Sequence, residues 1–208
     1  MDKQSRLYRK IYDFIERPWA FNLIQSIIDG GKGRQIRKFL KDVNFQSMVD
    51  IGCGTGNWAP VARGDYLGVD YSESFIEGCK KRYLNDPSKR FVQADVTTLA
   101  VSEQYDLALL ISVLHHLSDS EATKLIDWVA RNTRFLCVLD LYPIHWNLVS
   151  RWFYSMDRGN HIREPEAQTA LVMKNPAMKL VKWGDYFCPN GLYRHTLFLF
   201  ESADAQGN

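Results

Sequence analysis

Val49-Asp50-Ile51-Gly52-Cys53-Gly54-Thr55-Gly56 is an apolar run that passes directly into a turn with glycine at every second position. A turn with so little side-chain bulk lets a ligand lie against the backbone itself. Asp50 adds a carboxylate at the lip of that cradle. The stretch reads as a buried strand followed by a binding site for a nucleoside-like cofactor. A dinucleotide site has the spacing G-x-G-x-x-G, in which the third glycine admits the next helix close to a pyrophosphate. Asn57 stands where that glycine would be.

The segments that follow have matching order. Asp65-Tyr-Leu-Gly-Val-Asp70 is a short apolar strand ending in a carboxylate. An acidic residue about 20 positions beyond the glycine turn suits a ribose diol, because its oxygens accept both hydroxyl protons. Arg90-Phe-Val-Gln-Ala-Asp95-Val96 is a second such strand, and Tyr105 to Ser112 is a further apolar run, followed by Val113-Leu-His-His-Leu117.

Taken together, residues 47 to 141 resemble the class I S-adenosylmethionine-dependent methyltransferases of the small-molecule type. The resemblance implies that Gly52, Gly54 and Gly56 cradle the methionine end of the cofactor with Cys53, and that Asp50 supports the turn. Asp70 and Tyr71 would flank the ribose. Asp95 would meet the adenine amino group while Val96 donates its backbone N–H, and the backbone near Ile111 would neighbour the cofactor's amino group. The cofactor is then S-adenosyl-L-methionine and its product S-adenosyl-L-homocysteine.

Elsewhere the chain alternates strands with helices, which implies a parallel sheet covered on both faces. Strands are expected near 47–51, 66–70, 90–94, 105–111 and 135–141. Leu7, Ile11, Phe14 and Ile15 fall on one helical stripe. Further helices are expected at Trp19 to Ile28 and from Arg34 to Lys41. Ser72 is positioned to cap a helix over 73–83, and Ser118-Asp-Ser-Glu121 is a capping box. Met178 to Phe187 and Tyr193 to Glu201 read as strands joined by only Cys-Pro-Asn-Gly-Leu, a link short enough to demand an antiparallel pair. The family ends in such a hairpin. The implied fold is a Rossmann-like, doubly wound α/β sheet in the order 3-2-1-4-5-7-6.

This divides one domain, 1–208, into a helical cap (1–44), a cofactor-binding core (45–141), a substrate-side insertion (142–176) and the hairpin (177–202). The insertion is dense in aromatic residues, and the ligand of an open α/β sheet lies beyond the carboxyl ends of its strands. Tyr142, His145, Trp146, Tyr154 and His161 are therefore candidate walls of an acceptor pocket. The candidate bases are His115, His116, His145 and His161. His115 and His116 have the better claim, because the segment after the fourth strand borders the transferred methyl in the family's architecture, and adjacent side chains diverge so that one faces the acceptor. Asp140 is a further polar group expected at the pocket mouth, whereas Asp106 reads as structural.

A formal net charge of +2 lacks the basic excess of nucleic-acid binders. Arg34, Arg37, Lys38 and Lys41 read as a solvated helix face. The opening residues show no signal-peptide core, and no apolar run reaches membrane-spanning length. The expectation is a cytoplasmic protein, monomer or homodimer, without a membrane partner. Cys53, Cys79, Cys137 and Cys188 show no metal-ligand spacing, so they read as reduced thiols and no metal is expected. The reading is methyl transfer to a small metabolite, at oxygen. A macromolecular acceptor (RNA or protein), or a non-catalytic nucleotide-binding scaffold, would use the same cofactor residues.

Overall fold

A computed structural model describes residues 31–95, 103–142, 144, 146–148, 150, 154, 161–188, 191 and 193–204. The helices expected over 7–15 and 19–28 lie outside these residues. Seven strands form one sheet: β1 (Ser47–Ile51), β2 (Asp65–Asp70), β3 (Lys89–Gln93), β4 (Tyr105–Ile111), β5 (Thr133–Tyr142), β6 (Met178–Phe187) and β7 (Arg194–Ser202). Their order is β3-β2-β1-β4-β5-β7-β6, as expected. β1, β2, β3, β4 and β5 pair in parallel, while β7 runs antiparallel between β5 and β6.

The central strands are buried on both faces, so they read as nearly continuous apolar runs. Successive side chains point to opposite faces, which divides the core in two. Val49, Ile51, Ala108, Leu110 and Val138 pack with the buried stripe Ala122, Leu125, Ile126 and Val129. Met48, Leu107, Leu109 and Leu139 pack on the other face with Ile36 and Leu40. Strand order reverses between β1 and β4, and the crevice outside the carboxyl ends of strands at such a reversal is where ligands of these sheets bind.

Four α-helices are described along their whole length: α1 (Lys32–Phe39), α2 (Glu73–Arg82), α3 (Asp119–Asn132) and α4 (Pro165–Val172); Leu148, Ser150 and Tyr154 are helical as well. Ser72 caps α2 by accepting the Phe75 N–H, and Ser118 with Glu121 forms the complete capping box of α3. α1 begins two residues before the expected Arg34, and Lys32 is buried rather than solvated. Arg34, Arg37, Lys38 and Lys41 are exposed, as expected of a solvated face. α4 was not read from the sequence. Its buried stripe is Gln168, Leu171 and Val172, and a glutamine at a core position conceals the apolar periodicity.

The hairpin closes with the Cys188 N–H donating to the Tyr193 carbonyl at 2.9 Å and Gly191 in the left-handed region. β6 is the outermost strand and carries a register shift between Leu180 and Lys182. No described helix is long and apolar enough to cross a membrane.

Candidate active site

The glycine turn is tied to the end of β2. The N–H groups of Gly52 and Cys53 both donate to the Val69 carbonyl, at 2.8 and 2.9 Å, and Gly56 N donates to Cys53 O at 2.9 Å. Gly52 has φ 76, and a Cβ there would stand 2.7 Å from a Val113 methyl. Gly56, at φ 72, is walled by Cys79 and Phe91. Beneath the turn, the thiols of Cys53 and Cys79 both reach the Gly54 carbonyl. The Asn57 side chain accepts from Arg82 of α2 at 2.9 Å.

Two buried carboxylates lie beside this cradle, and Asp70 is the one that bonds it. Asp70 accepts the Gly54 N–H at 2.8 Å through Oδ2 and the Ser72 N–H at 2.9 Å through Oδ1. Burial raises its pKa, opposed by those N–H groups. The Tyr71 N–H lowers it as well, so the carboxylate gathers three backbone donors and retains acceptor capacity for one more. Asp50 accepts the Tyr66 hydroxyl at 2.7 Å through Oδ2, while its buried Oδ1 has no hydrogen-bond partner among the described residues. Burial pushes the Asp50 pKa up to about 7; the Tyr66 bond opposes this and the Asp70 charge adds to it.

The remaining expected cofactor residues lie along the same edge. Tyr71, directly after β2, is 66% exposed. Asp95 is exposed just beyond β3, and Val96 lies outside the described residues. Ile111 ends β4, and Ser112 after it has φ 57, the one positive φ outside glycine among the described residues. The buried Lys32 reaches Ser112 Oγ at 3.4 Å.

The chain then folds into a short 3-10 turn, Leu114–His116, in which the two imidazole rings lie against each other, 4.1 Å between centroids, rather than diverging as expected; what separates them is burial. His116 is exposed. His115 is 3% exposed, and its Nδ1 lies 2.5 Å from Asp140 Oδ1 near the end of β5. Asp140 also accepts the backbone N–H of His115 at 3.1 Å and that of Leu141 at 2.8 Å. A carboxylate accepts only, so the partner proton belongs on Nδ1, and the basic lone pair of His115 is on Nε2. Asp140 is thus the partner of a histidine rather than a separate group at the pocket mouth. That tautomer and that carboxylate are what a histidine general base requires.

His195 on β7 was not singled out from the sequence. It is fully buried, stacks on Tyr186 at 5.2 Å, and has Nδ1 3.5 Å from Cys188 Sγ. Burial holds its pKa well below the ordinary value, and the Lys32 and His115 charges act in the same direction. Lys32 and His195 gave little signal in the sequence. One reads as part of a basic helix, and the other stands in an alternating strand.

Of the expected acceptor residues, Tyr142 is buried, donates to Asp185 at 3.2 Å, and receives the Tyr154 hydroxyl on its carbonyl at 2.9 Å. These tyrosines fasten the insertion to the hairpin. Trp146 is 77% exposed, His161 is exposed, and His145 lies outside the described residues. Asp106 binds the N–H groups of Gln46 and Ser47 at 2.7 and 2.8 Å, at the opposite end of the sheet. That is a structural role, as expected. All four cysteines are buried free thiols.

Comparison with known proteins agrees with this geometry. Residues 48–134 match the family described as methyltransferase domain. A curated tRNA U34 carboxymethyltransferase of Klebsiella pneumoniae is 26% identical over 92 residues, 41% of this chain and 28% of the relative, so the chain matches little more than a quarter of that protein's length. Magnesium protoporphyrin IX methyltransferase of Synechocystis PCC 6803, solved with S-adenosylhomocysteine, superposes with a TM-score of 0.66 at 17% identity, covering 84% of each chain. The N-methyltransferase NodS of Bradyrhizobium japonicum WM9, with the same product bound, gives 0.65 at 16% identity, over 82% of this chain and 85% of the other. With the glycine turn, the carboxylate that ends β2, Asp95 just beyond β3, and a seven-stranded sheet of the expected order, residues 48–134 are those of a class I S-adenosylmethionine-dependent methyltransferase domain.

Proposed function

We propose that this protein moves the methyl group of S-adenosylmethionine to a hydroxyl oxygen of a small metabolite. The observation that carries the proposal is the enclosed His115–Asp140 pair, with Nδ1 and Oδ1 2.5 Å apart, at the carboxyl edge of β4 and β5. In the cofactor site, the turn from Gly52 to Gly56 takes the methionine end and Asp70 the ribose, while Asp95 and Val96 take the adenine. The backbone at Ile111 meets the amino group. Lys32 donates to Ser112 Oγ at 3.4 Å, just beyond Ile111.

The chemistry follows from what each acceptor class needs. The sulfonium is intrinsically reactive, so alignment of nucleophile, methyl carbon and sulfur supplies much of the rate. A neutral amine attacks through its lone pair and can lose its proton afterwards. A hydroxyl is a weak nucleophile unless a base takes its proton as the O–CH3 bond forms and the S–CH3 bond breaks, and such a base contributes about 10²–10⁴-fold. His115 Nε2 would accept that proton, and the imidazolium so formed would be stabilised by Asp140. A base this deeply enclosed suits an acceptor that can itself be enclosed, which favours a small molecule.

The test is transfer of a labelled methyl group from S-adenosylmethionine to a panel of hydroxylated metabolites, run beside bulk tRNA. The relative that modifies tRNA makes that arm necessary, because residues 142–204 lie outside the matched family segment and carry the acceptor side. Label in tRNA and in no small molecule would overturn the proposal. Label on nitrogen alone would remove the need for the base.

A further inference from the structure

The His115–Asp140 pair does not hold itself in place. His115 sits on a 3-10 turn, and the carbonyls of Leu114, His115 and the capping Leu117 are all met by one stretch of the insertion. Arg163 donates through Nη1 to Leu114 O and through Nη2 to Leu117 O, both at 2.8 Å. The His161 N–H donates to His115 O at 3.0 Å. Five residues on, the buried Gln168 donates to Leu141 O at 3.2 Å and to Arg163 O at 2.8 Å, and it accepts the Thr196 hydroxyl at 3.0 Å. The residues flanking the histidine and the residue after its aspartate are therefore tied to a single segment, 161–168.

Arg163 also donates through Nη1 to the His161 carbonyl at 2.9 Å, within its own segment, and to Asp119 through Nη2 at 2.8 Å and Nε at 3.2 Å; Asp119 is the charged competitor. The Asp119 side chain is 63% exposed, whereas that of Arg163 is only 11% exposed. Solvent weakens an exposed ion pair. Hydrogen bonds from a buried cation to carbonyls are not weakened in that way, and the planar fork of arginine can meet two acceptors at once. The carbonyl contacts therefore dominate.

We propose that Arg163 is a positioning residue for the His115–Asp140 pair: it fixes the turn so that Nδ1 stays on Asp140 and Nε2 keeps one direction. The functional weight of this inference rests on the reading of His115 as the base. Its test does not depend on any acceptor being known. The insertion that borders the acceptor side would thereby also set the histidine's geometry, so docking of that segment and readiness of the base become one event.

A proton held between a buried imidazole and a carboxylate gives a far-downfield proton resonance. We would record it by NMR on the full chain with nitrogen-15 labelled histidine, and assign it by its loss in His115→Gln. In Arg163→Gln the resonance should vanish or broaden, while calorimetry with S-adenosylhomocysteine shows an affinity within about twofold of the parent, the mark of an intact cofactor half. Arg163→Lys, which has the charge without the fork, should restore only part of the signal. Asp119→Asn should retain it.

An unshifted resonance in folded Arg163→Gln would overturn the proposal, as would an equal loss in Asp119→Asn or the absence of any such resonance in the parent. Should Arg163→Gln not fold, an unshifted signal in Arg163→Lys has the same force. Failure of the parent to transfer methyl groups at all would sink the proposed function and leave this result standing.

Discussion

His115 and His116 are neighbours with opposite surroundings, and that contrast makes the base testable. Once an acceptor from the panel turns over, His115→Ala should lower kcat by about 10²–10⁴-fold with cofactor affinity little changed. His116→Ala, at an exposed position, should retain most of the rate; equal losses at both positions would mean that position rather than base chemistry matters. Asp70→Ala removes a carboxylate that already gathers three backbone N–H groups and retains acceptor capacity for a ribose hydroxyl. Bonds to charged acceptors are worth about 1.5–3 kcal/mol each, so calorimetry should show S-adenosylhomocysteine bound about tenfold more weakly or worse. Asp50 gives a pH signature. With its pKa pushed up to about 7 from the ordinary 3.8, the folded protein keeps a proton that the unfolded chain has released within that window. Stability from this group therefore falls as pH rises through it. His195 acts oppositely, being held neutral in the fold, so its contribution is lost on acidification below the ordinary histidine value of 6.5. The two windows overlap, so the useful quantity is a difference: the unfolding free energy of the parent minus that of Asp50→Asn, measured by urea titration without cofactor, should decrease from pH 5 to pH 8. A flat difference would mean that Asp50 ionises normally.

At the scale of elements, the turn after β1 has little tolerance. Gly52→Ala places a methyl group 2.7 Å from Val113 at a positive φ, so it should cost roughly 1–3 kcal/mol by thermal or urea unfolding and weaken cofactor binding in parallel. An alanine variant as stable as the parent would mean that the turn is looser than drawn. The same turn shows why much of the fold was legible in the sequence. Buried parallel strands are short apolar runs, glycines mark the turn, and Ser72 and Ser118 announce their helices within three residues. These signals are local. What the sequence hid is contact between distant positions. Asp140 and His115 each stood out, but nothing in either neighbourhood tells that one carboxylate holds the other's ring. Lys32 did not stand out because the groups it meets, Ser112 and His195, lie far along the chain. α4 stayed hidden because its core-facing Gln168 is polar, and its hydrogen bonds to Leu141, Arg163 and Thr196 exist only after folding.

For the whole molecule, the reversal of strand order between β1 and β4 fixes where the cofactor must lie, and the absence of a third dinucleotide glycine selects which one. S-adenosylhomocysteine at a hundred times its Kd should stabilise the protein by about 2.7 kcal/mol, raising Tm, and NAD at the same concentration should leave Tm unchanged. A shift with NAD alone would overturn the cofactor assignment. The outer edge of the sheet has a different consequence, for behaviour at high concentration. Among the described residues β6 has no strand beyond it in the sheet, and it exposes Val181 and Trp183, the kind of surface on which a second chain could extend the sheet indefinitely. The slip between Leu180 and Lys182 interrupts the regular repeat of β6 at that point, and Lys179 and Lys182 place charge on either side of it. An incoming strand would meet donors and acceptors out of step with its own and would have to desolvate the exposed Lys179, while Lys182 is turned onto the Phe39 carbonyl, so an irregularity that looks like a flaw in pairing helps keep the molecules separate.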